Sequence, residues 1–348
     1  MKTTVAYLHF STILKGINKL IMNDNSADQP AKFTKINELH SSYHDFVCYL
    51  GYEQATGLQV FWYEFLNDSL SQEDIQESLQ MLNNVKNNIS NQYILKVLDV
   101  WTTSNPSRTV VITEATQALS LADYLKSLEA PLPPRTMLKW FRHLAYAVQA
   151  LHNSSLQITH GRINLQNVFI KPTNGTVKLR LPLTELSKRK LPISSLNLDI
   201  YKAPERLRGV IKPSNDIWAL GIILLELMTH TKPYSEYKTP FDLIQAISQH
   251  IRPESINSVN IPAVADLIKA CLQPEMFRIS IDALIQHPAF DEITSPQPPL
   301  NSPAISQILV SNENKEPSTQ NNSPTQENKE NDLLDLDSCT VFILNNKQ

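Results

Sequence analysis

Cysteines, which could bind soft metals or carry redox chemistry, are few in this chain of 348 residues. Its three cysteines, Cys48, Cys271 and Cys339, lie far apart and form no CxxC pair. That spacing fits neither a zinc site nor a disulfide framework and favours a reducing intracellular compartment. Only seven glycines occur, where an average chain would have roughly three times as many, which disfavours a glycine-rich phosphate loop. The net charge of −3 gives no basic surface for nucleic acid or an anionic membrane.

The apolar pattern divides the chain into a strand-rich half and a helical half. In the first half we expect one helix at 71–88, capped by Ser71. We expect strands within 40–66, joined by a turn at Gln54–Gly57, and further strands at 93–101 and 109–114. In the second half we expect one pair of strands, at 167–171 and 176–181. We expect helices at 120–129, 134–153, 214–229, 240–250, 261–272 and 280–286. This order predicts an α+β fold of two lobes.

Composition also sets the expected boundaries. We predict an N-terminal extension at 1–35, a folded domain at 36–290 with lobes at 36–115 and 116–290, and a tail at 291–348. The tail is rich in Asn, Ser, Pro, Gln and Glu and buries too little apolar surface to offset its chain entropy, so we expect disorder. Residues 1–22 are basic but too polar to span a bilayer, and fit an extension, a targeting peptide without arginine, or a start placed ahead of Met22. No other segment reaches membrane-spanning length.

Three motifs in the helical half resemble those of protein kinases, in the same order and at similar spacing. Tyr201–Glu205 resembles the APE element, Asp216–Gly221 resembles the DxWxxG start of the central helix, and Arg278 stands where kinases keep an Arg that pairs with the APE Glu. The resemblance spans roughly residues 40–290 and implies a two-lobed, protein-kinase-like fold. It further implies a buried ion pair between Glu205 and Arg278, and an Asp216 that accepts N–H bonds from the catalytic loop.

The resemblance places the catalytic loop, HRDLxxxN in kinases, at 158–170. His160 and Asn167 are kept, but Arg162 holds the position of the catalytic base. A guanidinium cannot accept a proton at neutral pH, and loss of a general base alone costs roughly 10²–10⁴ in rate. Leu181 holds the position of the DFG aspartate and offers no oxygen to Mg²⁺. We therefore expect no catalytic residue and no metal site.

The ATP-binding positions of the small lobe are altered as well. Tyr63 replaces the ATP-contacting Lys, and Gln80 is the expected counterpart of its Glu partner. The glycine-loop position, Ser41–Phe46, contains no glycine, so side chains occupy the space where backbone N–H groups would cradle phosphate. Thr113 and Glu114 stand at the hinge entry and, with Asn167, are the positions that would contact ATP. We expect no cofactor, with ATP and Mg²⁺ as the alternative.

Two other interpretations of these positions are disfavoured. A misaligned but intact active site would require a VAIK-type Lys, an HRD or a DFG elsewhere, and the chain contains none. With-no-lysine kinases take their Lys from the glycine-loop strand, but Phe46 fills that position here. The closest family resemblance is nonetheless to these kinases and to the nuclear-receptor-binding-protein pseudokinases, through the segments Val60–Phe65, Asp99–Trp101 and His160-Gly161.

A short acidic and leucine-rich segment lies near the end of the tail. Its residues Leu333, Leu334, Leu336 and Asp337 resemble the clathrin box, which implies docking to clathrin. The alternative is an acidic stretch that is simply solvated.

The substitutions at Arg162, Leu181 and Tyr63 favour a catalytically impaired kinase-like domain that binds other proteins, an active kinase among the candidates. We expect it to act as a scaffold or allosteric regulator in cytoplasmic signalling or trafficking, without nucleic acid. The alternative function is a divergent ATP-binding Ser/Thr kinase with residual phosphotransfer.

Overall fold

The computed structural model describes residues 32–39, 46–115, 120–128, 130–171, 174–186 and 200–291. Its small lobe is an antiparallel sheet with one helix, α1 (Gln72–Asn88). The strands are β1 (Phe33–Leu39), β2 (Phe46–Glu53), β3 (Gln59–Leu66), β4 (Val97–Ser104) and β5 (Ser107–Glu114), in the spatial order β1-β2-β3-β5-β4. The predicted helix and the β2–β3 pair are confirmed. Strand β1 was not predicted from the sequence. Because β1 begins at Phe33, the small lobe begins before the boundary expected after residue 35.

Helix α1 begins where the sequence predicts, because Ser71 caps it. The Ser71 hydroxyl accepts a hydrogen bond from the Asp74 amide at 3.1 Å, and acidic residues in the first turn complement the helix dipole. The buried residues Ile75, Leu82 and Val85 form its inner face. Leu82 and Val85 anchor α1 in the same core as the cleft-facing side of the sheet.

The side chains of β3 alternate between the two faces of the sheet and so belong to two different cores. Phe61, Tyr63 and Phe65 point into the main core, which extends into the large lobe. Val60 and Trp62 point the other way, into a small second core. The period of two along a strand therefore directs Tyr63 towards the cleft between the lobes.

The large lobe is helical around one buried helix, α6 (Pro213–Thr229), which confirms the helix predicted at 214–229. Gly221 allows the close packing of α6, because a Cβ there would lie 2.5 Å from the Cβ of Cys271. The other elements are α2 (Leu121–Lys126), α3 (Pro134–His152), β6 (Val168–Lys171), β7 (Thr176–Leu179), α4 (Leu183–Leu186), α5 (Pro204–Leu207), α7 (Pro240–Ser248), α8 (Pro262–Cys271) and α9 (Ile281–Ile285). Short 3₁₀ turns lie at Leu165–Asn167, Glu254–Ser258, Glu275–Phe277 and Pro288–Phe290.

Small differences from the predicted elements have local causes. The strand expected at 93–101 begins only at Val97, because Tyr93 and Leu95 bond instead to the backbone of Leu179 in β7. Phe290 ends the packed domain, with its ring stacked 5.9 Å from that of Phe141. None of the described helices is both long enough and apolar enough to cross a membrane.

Candidate functional site

The loop between α3 and β6 is held in place by Asp216, which lies in the first turn of α6 and is almost fully buried. Its carboxylate accepts hydrogen bonds from the amides of His160 at 2.8 Å and Gly161 at 2.7 Å, and contacts His152 Nε2 at 2.8 Å. Gly161 turns the loop with a φ of +72°, a conformation that costs other residues energy. The structure thus brings Asp216 against the loop backbone, where the kinase resemblance placed it.

His160 is a structural residue within this loop. Its Nε2 lies 2.7 Å from the carbonyl of Arg180, and its Nδ1 accepts the Arg162 amide at 3.2 Å. These partners require a neutral imidazole with its proton on Nε2. Burial is the main cause that lowers the pKa of His160 below its ordinary value, and it outweighs the opposing effect of Asp216.

Asn167 ends the 3₁₀ turn at Leu165–Asn167, and both halves of its side chain are engaged. The turn is capped by Asn164, whose Oδ1 accepts the Asn167 amide at 2.9 Å. Asn167 Nδ2 donates to the carbonyl of Arg162 at 2.8 Å. Its Oδ1, the atom that would ligate a cation, accepts from Arg180 Nη2 at 2.5 Å and Nε at 3.1 Å.

Arg180 is the site residue that sequence reasoning missed. It follows β7 directly and is 9% exposed, with its guanidinium carbon 5.8 Å from the centre of the Phe169 ring. Its place immediately before Leu181 was the signal that could have revealed it. The oxygen that Asn167 would offer to a metal therefore already accepts hydrogen bonds from a permanently charged guanidinium.

Leu181 itself is buried in the main core together with Leu183 and Leu186. An aliphatic side chain cannot ligate Mg²⁺, and a shift of the alignment by one residue would place Arg180 there instead. Neither side chain fits the metal that the kinase fold uses. Among the described residues, no group of three or more His, Cys, Asp or Glu side chains could hold a metal ion.

Aromatic side chains fill the cleft side of the small lobe. Tyr63 is 3% exposed, and its ring meets that of Phe46 edge to face at 5.9 Å. Phe61 reaches across to the large lobe, with its ring centre 6.4 Å from that of Phe169. A flat heteroaromatic ring placed between two surfaces needs about 7 Å between the flanking atoms. The contact between Phe61 and Phe169, which the sequence reading did not anticipate, leaves no such gap.

The hinge-entry residues have structural partners. Thr113 is buried, and its hydroxyl donates to the Glu114 carbonyl at 3.2 Å. The Glu114 carboxylate pairs with Lys178 of β7 at 2.6 Å and accepts the Lys96 amide at 2.8 Å. These contacts join β5 to β7 across the lobes. The expectation for Gln80 was wrong, because its side chain is exposed while the inward face of α1 presents other residues.

The structure brings Glu205 of α5 and Arg278 together in a buried pair. Arg278 Nη1 and Nη2 donate to the two carboxylate oxygens at 2.5 and 3.2 Å, and Asn215 Nδ2 donates to Oε1 at 2.8 Å. Arg278 also donates to the carbonyls of Ser214 and Gln273. Burial is the largest single influence and would raise the pKa of Glu205, but Arg278, a backbone amide and Asn215 together outweigh it and hold the pKa below its ordinary value.

Two groups of candidate residues lie outside the described residues. They are Ser41–Asp45 of the glycine-loop position and the tail residues Leu333, Leu334, Leu336 and Asp337. Of the remaining candidates, the structure gathers His160, Arg162, Asn167 and Leu181 at one end of the cleft and Tyr63 on its roof.

Comparison with known proteins places this geometry in a family. Residues 47–290 match the protein kinase domain. Serine/threonine-protein kinase WNK3 of Mus musculus is 28% identical over 253 residues, which are 71% of this chain and 14% of that protein. Serine/threonine-protein kinase Wnk of Drosophila melanogaster is 28% identical over 250 residues, covering 70% of this chain and 10% of that protein.

These matches cover only a small part of the relatives, since the chain spans 10% to 20% of the length of the WNK kinases it resembles. Among solved structures, the autoinhibited serine kinase domain of the giant muscle protein titin superposes with a TM-score of 0.62 at 18% identity, over 76% of this chain and 82% of that one. That likeness shows the two-lobed α+β fold alone. With the matched domain covering most of the chain, this protein belongs to the protein kinase domain family.

Proposed function

We propose that this chain is a pseudokinase, a kinase-like domain that transfers no phosphate and acts by binding other proteins as a scaffold or allosteric regulator. The observation that carries the proposal is the bond between Arg180 and Asn167, which uses the last candidate ligand for Mg²⁺. Phosphoryl transfer depends on metal and positioned cations to neutralise the developing charge. Here a side chain of the protein itself occupies that ligand atom.

The other groups that phosphoryl transfer requires are replaced as well. Arg162 cannot remove a proton from a hydroxyl group, and Tyr63 supplies no cation to the phosphates. The contact between Phe61 and Phe169 closes the space a purine would need. Because a missing base alone costs roughly 10²–10⁴ in rate, the combined losses leave little room for residual activity.

The parts of the fold that do not touch substrate are intact, which supports a role in binding. The Glu205–Arg278 pair and the bonds of Asp216 stabilise the large lobe without any nucleotide. A stable domain whose cleft is filled by its own side chains can present a constant surface to a partner. An active kinase is one candidate partner, and clathrin, through the tail, is another.

The competing function is a divergent Ser/Thr protein kinase, as the names of the WNK relatives suggest. The test is phosphate incorporation by the purified full chain with ATP and Mg²⁺ or Mn²⁺, with Asn167→Ala as the matched control for contaminating kinases. We expect equal, background incorporation in both. Incorporation by the wild type that disappears in Asn167→Ala would establish an active kinase and reject the proposal.

A further inference from the structure

Bulky apolar side chains are exposed together on one side of the large lobe. Six of them form what we call the large-lobe apolar surface: Val210, Ile211, Phe241, Ile244, Met276 and Phe277. Met276 is 90% exposed, Phe277 75% and Phe241 73%. Single exposed apolar residues are ordinary, but a contiguous group marks a site of interaction.

Two contacts connect the three segments that carry these residues. Lys212 Nζ lies 2.6 Å from Glu275 Oε1, which joins the segment after α5 to the 3₁₀ turn that carries Met276 and Phe277. Helix α7, which carries Phe241 and Ile244, packs against α5. The segment 208–212 therefore lies between the other two parts.

Exposed cations accompany this surface. Arg208 and Lys238 are both exposed and flank Val210 and α7 along the chain. Of the acids nearby, Glu275 is paired with Lys212 and Asp242 accepts a hydrogen bond from the Thr239 hydroxyl. A ligand that combines apolar side chains with acids would match this arrangement.

We propose that the segment Asp332–Asp337 of this same chain docks on the large-lobe apolar surface. The segment reads DLLDLD and so supplies three leucines and three carboxylates in six residues. Its leucines cover Phe241 and Phe277, and its aspartates lie near Arg208 and Lys238. This inference is independent of the proposed function, because it holds whether or not the cleft transfers phosphate.

The chain is long enough for this contact. The 40 residues from 292 to 331 separate the end of the packed domain from the segment, and a coil of that length has an r.m.s. span of about 35 Å. A compact domain of this size has a radius of gyration of about 18 Å, so the tail reaches any side of the large lobe. Tethering raises the effective concentration of the segment to roughly the millimolar range, so even a weak contact is populated.

Hydrogen exchange on the full chain, read by mass spectrometry at the loop amides 208–212 and 274–278, tests the proposal. The test variant is Leu333→Ser with Leu334→Ser and Leu336→Ser. The matched control changes a different apolar run of the tail, Ile308→Ser with Leu309→Ser and Val310→Ser. We expect exchange at both loops to be about tenfold faster in the test variant and unchanged in the control.

The reciprocal variant, Phe241→Ser with Phe277→Ser, should speed exchange at 332–337 while leaving the urea midpoint unchanged, because both side chains are exposed. Equal exchange in the wild type and the leucine variant would overturn the proposal. Protection of the loops that disappears on dilution would also overturn it, because a second copy of the chain would then be the occupant.

Discussion

The guanidinium of Arg180 lies against the carboxamide of Asn167, with Nη2 and Nε at 2.5 and 3.1 Å from Oδ1. In an active kinase the corresponding amide oxygen ligates a metal ion. Here the protein carries its own cation at that atom, on a side chain that is also buried against Phe169. The cleft is thus occupied from within at both ends, by Arg180 near the catalytic loop and by aromatic rings under the sheet.

The first prediction concerns nucleotide binding, measured by thermal unfolding with 1 mM ATP, with and without Mg²⁺. We expect no Mg²⁺-dependent shift, since neither Arg180 nor Leu181 can ligate the ion. A site with a Kd of 0.1 mM would stabilise the domain by about 1.4 kcal/mol, or about 3–6 °C for a domain of this size. A saturable shift of that size that requires Mg²⁺ would contradict the prediction.

The second prediction concerns the pair between Glu205 and Arg278. Glu205→Ala leaves a buried guanidinium without its carboxylate, so we expect a loss of about 3–5 kcal/mol in the free energy of unfolding. The control is Glu275→Ala, which breaks the exposed pair with Lys212 and should cost no more than about 1 kcal/mol. Urea denaturation measures the free energy of unfolding of both variants. Equal losses would show that the buried pair stabilises the domain no more than the exposed pair does.

The third prediction is a dependence of stability on pH that arises from buried histidines. Burial lowers the pKa of His143 to about 4, with Lys139 and Arg142 contributing, and lowers that of His160. In the unfolded chain both have ordinary values near 6.5, so between those values the unfolded state binds more protons. The stability they contribute is complete above pH about 6.5 and decreases as the pH falls below it.

Urea denaturation between pH 7.5 and 5 measures this slope. His143→Phe keeps a ring stacked on Tyr93 but removes the titrating group, so its stability should fall less steeply over that range than that of the wild type. The variant will be less stable at every pH, because the Val177 amide loses its acceptor. The slope, and not the absolute stability, is the readout, and an unchanged slope would rule out His143 as a contributor.

Much of the scaffold could be predicted from sequence because it depends on local signals. The cap at Ser71, the apolar run of α6 and the motif residues Glu205 and Asp216 each identify an element within a few positions. Strand β1 was missed because Thr34, Lys35 and Asn37 interrupt its apolar pattern, and because its pairing with β2 contains an irregularity between Lys35 and Asn37. Edge strands depend on a neighbour, which a single segment does not reveal.

The cleft could be predicted only by what it lacks. Tyr63 and Leu181 were identified from their positions, but the residues that fill the space were not. Phe61 and Phe169 lie 108 positions apart in the chain and meet only through the packing of the small lobe on the large one. Arg180 acquires its meaning from Asn167, 13 residues earlier, through a contact that depends on the β6–β7 hairpin.

The last prediction tests whether aromatic filling is what excludes a purine. Phe61→Ala removes the roof of the contact with Phe169 and leaves a cavity, at a cost of about 3–5 kcal/mol in stability. Phe65→Ala is the matched control, because Phe65 lies on the same face of β3, is also buried in the main core and does not contact Phe169 in the described ring pairs. We expect millimolar adenosine, without metal, to raise the melting temperature of Phe61→Ala and to leave the melting temperatures of the wild type and Phe65→Ala unchanged.

Adenosine carries no phosphate, so the measurement isolates the ring site from the altered metal end of the cleft. A shift of equal size in the wild type would show that the purine space is already open, and an absent shift in Phe61→Ala would show that removing this ring does not reopen it.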